Sequence, residues 1–238
     1  MDKIDFKKTL KALYAPSAKA FVQVDVPAMS FLMMDGKGTP DAESAGEYAR
    51  ALAVLYPVAY KLKFLSKKQL GKDYVVPPLE ALWWADDLNV FITGDKAQWQ
   101  WTVMIMQPDW ILPEHVEEVR QAIVRSGELP GLDDLRLETY TEGLAVQILH
   151  IGPYRDEGPV LKVLHEEYIP ANGLVETGHH HEIYLRPVQL PVLRVSAREV
   201  SLFPPPAQPF SVFAGQAADC ALHQTVCRPE REGDFRSG

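Results

Sequence analysis

The chain has 238 residues, 47% of them hydrophobic and 24% charged, with a formal net charge of -8. That mixture belongs to a globular protein, and the acidic balance argues against one built to hold nucleic-acid phosphates, which needs a basic face. Cys220 and Cys227 stand too near the carboxyl end to staple a core, so a reducing, cytoplasmic setting is expected.

Residues 1–20 read as a short basic arm ending near Pro16, with no apolar stretch behind Met1-Asp2-Lys3 to suggest a secretory signal. No window approaches the ~18 unbroken apolar residues of a membrane span. Phe21 to Val26 alternates as a strand. Met29 to Met34 follows as a second one, stopped by the turn signal Asp35-Gly36-Lys37-Gly38.

From Glu43 to about Leu65 the period changes. Tyr48, Leu52, Leu55, Tyr56, Ala59 and Leu62 recur at helical steps, and Pro57 inside the run is expected to kink or split the helix. Leu79 to Trp84 and Trp99 to Gln107 read as strands, the second with Trp99, Trp101, Val103 and Ile105 on one face. Residues 114–126 form a helix whose acidic first turn suits the positive end of its dipole.

The second half repeats this order. Gly143 to Ile151 is a strand, Asp156 to Tyr168 a short helix, and His180 opens a further strand. The expected architecture is α+β: duplicated β-α-β-β units with pseudo-twofold symmetry, antiparallel sheet and helices around a central groove. One domain spans 21–202, its repeats at about 21–110 and 130–202, after the arm. Glu80-Ala81-Leu82-Trp83 is matched with Glu182-Ile183-Tyr184-Leu185. Val192 to Leu202 could be a strand. The Pro-rich stretch 203–238 is expected to stay disordered, having too few apolar residues to offset ordering entropy.

Four tryptophans, Trp83, Trp84, Trp99 and Trp101, fall on two neighbouring strands. Rigid aromatic surface beside a carboxylate grips flat or cationic ligands, although the same pattern also builds an aromatic core. Glu182 is the sharper signal. A carboxylate in an apolar strand, with Tyr184 on its own face, must be paired, solvated or functional, because burying its charge is costly. If desolvated, it is poised as a base or acid near neutral pH. His179 and His181 share a face, but no third ligand stands at a supporting spacing, so no metal site is expected. His150 and Tyr154 flank the Ile151-Gly152-Pro153 turn, either lining the same cavity or ending the strand. Sequence elbows for Ser nucleophiles, phosphate loops and dinucleotide fingerprints are absent.

Several pieces, in this order, resemble the GyrI-like small-molecule-binding proteins over roughly residues 3–186. They are Val24-Asp25-Val26-Pro27-Ala28-Met29, Pro78-Leu79-Glu80-Ala81-Leu82-Trp83-Trp84, Trp101-Thr102-Val103-Met104-Ile105-Met106, Gln147-Ile148-Leu149-His150-Ile151-Gly152-Pro153-Tyr154 and His180-His181-Glu182-Ile183-Tyr184-Leu185. The resemblance implies two β-α-β-β units with a ligand between them. Relatives serve as drug-sensing domains of transcription factors, as a modulator of DNA gyrase, or as hydrolases that open the strained cyclopropane of DNA-alkylating compounds.

Carried over by motif, Glu182 is the acid. Tyr184, Trp84 and Trp101 are aromatic partners, Glu80 is the counterpart in the other half, and His150 and Tyr154 are further ligand contacts. No metal or organic cofactor is required. After Arg186 the chain departs from the family pattern, which puts the last strand of the second unit in doubt. With no helix-turn-helix ahead of the domain, the expected partner is a small molecule, not nucleic acid or membrane. The first reading is binding of small apolar or aromatic molecules, cations among them. Hydrolysis of strained electrophiles on the same pocket stands second, and a protein–protein modulator of the gyrase-inhibitor kind third.

Overall fold

The computed structural model describes residues 2–41, 46–87, 90, 93–127, 129–152, 156–185 and 191–199. The tail 203–238 therefore lies outside the described residues. The arm comprises β1 (Lys3–Ile4) and two single-turn helices, α1 (Phe6–Thr9) and α2 (Lys11–Tyr14). Then come β2 (Val22–Val26), β3 (Met29–Lys37), α3 (Glu47–Leu65), β4 (Asp73–Tyr74), β5 (Leu79–Trp84), β6 (Gln100–Gln107) and α4 (Pro113–Ser126). The second half holds β7 (Arg136–Tyr140), β8 (Gly143–Leu149), α5 (Gly158–Val163), β9 (Leu174–Tyr184) and β10 (Pro191–Glu199). Among the described residues no helix is long and apolar enough to cross a membrane.

Among the described residues, eight strands make one antiparallel sheet in the order β2-β8-β10-β9-β5-β6-β3-β7. From either side inward, each unit contributes its first, third and second strand, so the order is symmetric about the β5–β9 seam. The leading strands are exchanged: β2 pairs with β8, and β7 pairs with β3. Only two residues join β2 to β3, a link that spans at most about 11 Å. Six strand spacings separate those two strands in the sheet order, about 29 Å if it were flat. The sheet must therefore roll, giving a concave face and an outer face.

Helices α3 and α5 lie on the outer face, and the arm helices on the concave one. Along α3 the residues Tyr48, Leu55, Val58 and Leu62 pack against Leu32, Trp83, Trp101, Val103 and Ile105. In the second half Leu164 and Ile169, just beyond α5, cover Val146 and Val195. Both helices run on into a π-type turn, Ser66–Leu70 and Leu164–Tyr168; the first meets the left-handed Gly71 (φ 65) at once, the second Gly173 (φ 64) after one more helical turn, Ile169–Ala171. The recurrence of that local device is the plainest trace of duplication.

Several expectations change. Pro57 does not split α3, because it and Ala53, whose carbonyl loses its partner, both face solvent. Asp35 to Lys37 continue β3 instead of turning. Gly36 is there for close approach: a Cβ would stand 2.1 Å from Trp101 Cη2. The strand expected from His180 begins at Leu174, and β7 was not anticipated. The last strand of the second unit is present, and β10 is interior, hydrogen-bonded to both β8 and β9.

Candidate functional site

Across the seam, Ala81 stands opposite Glu182, Trp83 opposite His180 and Leu79 opposite Tyr184. Period-2 alternation then fixes the faces. Glu182, Tyr184, His180, Trp83 and Trp101 project to the outer face, between α3 and α5. Glu80, Trp84, His179 and His181 project to the concave one.

This corrects two expectations. Glu80 and Glu182 lie on opposite faces, and a twofold that keeps both helices on one face cannot interchange them. Trp84 likewise cannot join Glu182; its ring stacks on His179 with centroids 4.5 Å apart. Trp101 shares the face of Glu182 but is wholly buried beneath Gly36 and Tyr48. His150 is buried just beyond the end of β8, and Tyr154 lies outside the described residues.

On the outer face Glu182 is fully buried. Tyr184 Oη donates to Glu182 Oε2 at 2.6 Å, and His180 Nε2 stands 3.4 Å from Glu182 Oε1. A second acid joins them from the other side of the cleft. Glu157, at the mouth of α5, is 1% exposed, its Oε1 meets no hydrogen-bond partner among the described residues, and its side chain does not cap the helix it precedes. Burial and the neighbouring Glu182 charge push its carboxyl up to about 10. That shift favours the neutral form of Glu157, beside a Glu182 whose Oε2 accepts a hydrogen bond from Tyr184. The sequence offered little sign of it, since Asp156-Glu157-Gly158-Pro159 reads as an ordinary helix start.

Aromatic side chains pack on the same face. Trp83 stacks on Tyr48 (6.1 Å, 22°) and meets Trp99 edge-on, leaving its buried indole N–H unpartnered among the described residues. Val54, on one flank of α3, lies beside Gly131, which leads into the edge strand β7. Tyr56 is two residues on, about 200° round the helix, so it faces the seam. Tyr60 follows one turn later, and both rings are partly exposed, at 37% and 51%.

The concave face carries a different polar cluster, shut away from solvent. Tyr14 Oη donates to Glu80 Oε1 (2.8 Å), and His181 bridges Glu80 (3.0 Å) and Glu142 (3.2 Å). Arg194 reaches Glu142 (3.0 Å), Gln147 (2.7 Å) and the Leu13 carbonyl (2.9 Å). Although burial opposes it, the flanking carboxylates hold His181 protonated, up to about 9. The two cations hold Glu142 down at about 2 against its own burial. Two carboxylates and two cations cancel, and every strong bond is used. This is a structural lock that fastens the arm over the sheet. A cavity of about 460 Å³ opens beside it, lined by Tyr140, Thr141, Glu142, Thr177, Gly178, His179 and Ser196. Its one carboxylate, Glu142, is ion-paired to His181 and Arg194. Among the described residues no cluster of three metal-ligating side chains occurs.

Solved structures share this arrangement. An uncharacterized conserved protein from Listeria innocua is 35% identical, with 82% of this chain and all of the other aligned at a TM-score of 0.73. A hydrolase encoded by lin2189 in the same organism is 33% identical over 83% of this chain and all of its own length, TM-score 0.71. A further Listeria innocua hydrolase is 34% identical, with 82% of this chain and all of the other covered, at 0.70. A comparison with functionally curated proteins returned no match. The sequence profile of the GyrI-like small molecule binding domain fits residues 20–191. The chain belongs to the GyrI-like small-molecule-binding domain family.

Proposed function

We propose that this protein is a hydrolase of small, flat, largely apolar electrophiles, which it binds in the outer cleft between α3 and α5. The observation that carries the reading is the buried Glu182 carboxylate, oriented by Tyr184 Oη at 2.6 Å. That hydrogen bond orients the carboxylate, and orientation places it to take a proton from an attacking water. Tyr184 is thereby a positioning residue: its hydroxyl proton is already given to Glu182 and is not held ready for the substrate. The flank of α3 carrying the exposed Tyr56 and Tyr60 supplies flat surface for a conjugated ligand. The hydrolases of Listeria innocua, one third identical and aligned over their whole length, support the same reading. The family resemblance points to strained rings conjugated with a carbonyl as the substrate class.

Binding without turnover is the second reading, favoured by the pairing of one ionised carboxylate with exposed aromatic rings, which also suits a lipophilic cation. Incubation of the protein and its Glu182→Gln form with a cyclopropane-bearing alkylating compound separates the two. The hydrolytic reading expects ring-opened, water-added product from the native protein alone. Quenching of tryptophan fluorescence with no product from either form would leave only binding.

A further inference from the structure

We infer that Glu157 is the proton donor of this site, a neutral carboxyl that protonates the substrate oxygen on which charge gathers while Glu182 activates the water. The inference rests on the hydrolytic reading and extends it to a second acid and a narrower substrate class.

The assignment of proton to residue follows from the hydrogen bonds. Glu182 Oε2 accepts a hydrogen bond from Tyr184 Oη at 2.6 Å, which favours its ionised form. Glu157 is as deeply buried, and its Oε1 receives no hydrogen bond among the described residues. Nor does it gain from the backbone N–H groups at the start of α5, which its side chain leaves uncapped. An anion in that position would be desolvated, with Oε1 accepting no hydrogen bond among the described residues, and beside a like charge. The single proton therefore resides on Glu157, and burial and Glu182 are what raise its affinity for that proton.

The chemistry balances with these two groups and one water. Glu182 takes a proton from water as the water oxygen bonds to the electrophilic carbon. The strained carbon–carbon bond breaks, its electron pair moves through the conjugated system to the carbonyl oxygen, and that oxygen takes the proton of Glu157. Glu182 is left protonated and Glu157 ionised, and transfer of one proton between them restores the resting state. One water is consumed and no net proton is released. The substrates favoured are those whose charge-gathering oxygen is too basic to be left unprotonated. A substrate whose oxygen is a stable anion at working pH gains little from the donor.

The test uses the full chain, its Glu157→Gln form and its Glu182→Gln form, with the same cyclopropane-bearing compound between pH 6 and 10.5. The expected result is a kcat lowered about 100-fold or more in Glu157→Gln, with ligand affinity from tryptophan quenching unchanged. The alkaline decline of the native rate is lost in this variant, and a less basic acceptor oxygen on the substrate narrows the gap. Native turnover and a native alkaline decline in Glu157→Gln, alongside an inactive Glu182→Gln, would overturn the donor role and leave the hydrolase standing. No ring opening by the native protein overturns both. Infrared spectroscopy checks the proton itself: a protonated-carboxyl stretch at neutral pH, shifted in heavy water and missing from Glu157→Gln, is expected. Its absence from the native protein refutes the assignment.

Discussion

Glu157→Gln should make the protein more stable, and increasingly so as the pH rises. Glu157 is 1% exposed and its carboxyl is held at about 10 against an ordinary 4.5. Above pH 4.5 the unfolded chain releases a proton that the folded chain keeps, so the folded state binds more protons and loses stability as pH rises, up to about pH 10. Each pH unit in that window costs about 1.4 kcal/mol, and at pH 7 the accumulated cost is about 3 kcal/mol. Glutamine has the shape of the neutral acid and titrates in neither state, so the variant is free of this slope. Urea unfolding of both proteins at pH 5.5, 7 and 8.5 measures it. The stability gap should widen in favour of the variant by roughly 1 kcal/mol or more per unit. A difference that does not change with pH would refute the claim that a neutral, strained acid is buried there. A gain in stability with loss of turnover is the signature of a residue retained for function.

Three further outcomes follow from the geometry. Arg194→Met leaves Glu142 buried beside a single remaining cation and severs the bonds to Gln147 and Leu13, so unfolding should become easier by about 3–5 kcal/mol in a denaturant titration. Gly36→Ala sets a methyl 2.1 Å from the Trp101 ring, and the displaced indole should blue- or red-shift its emission while the melting temperature falls by several degrees. Tyr184→Phe keeps the ring and removes the donor at 2.6 Å; kcat should drop about 10-fold or more while ligand binding persists, and an unchanged kcat would strip Tyr184 of its positioning role.

The architecture was legible because its signals are local and periodic. Alternation in Leu79 to Trp84 and in Gln100 to Gln107, helical spacing from Tyr48 to Leu62 and the repeated element order pointed to a duplicated α+β fold. Alternation also put Trp83 and Trp84 on opposite faces. What strand pattern cannot supply is register between strands. One residue of slip reverses a face, which is how Glu80 came to be matched with Glu182 although the seam pairs Glu80 with Ile183. The three consecutive histidines show the same limit: His179 stacks on Trp84, His180 approaches Glu182 and His181 carries a buried ion-pair network, roles that only the rolled sheet assigns. Glu157 escaped notice because nothing in its neighbours in sequence marks it as buried. Its environment is made by β9, some twenty-five residues further on. Gly36 reads as a turn residue because a glycine beside aspartate usually is one, whereas the tryptophan ring that needs it comes from another strand.

All of these readings depend on the outer cleft being where the small molecule sits. A structure of the Glu182→Gln protein, slowed or inactive, with a cyclopropane-bearing compound bound decides that most directly. The account predicts the compound between α3 and α5, its ring carbon toward position 182 and its carbonyl oxygen toward Glu157. A compound seated instead in the concave cavity beside Tyr140 and Ser196, with the outer cleft empty, would contradict it.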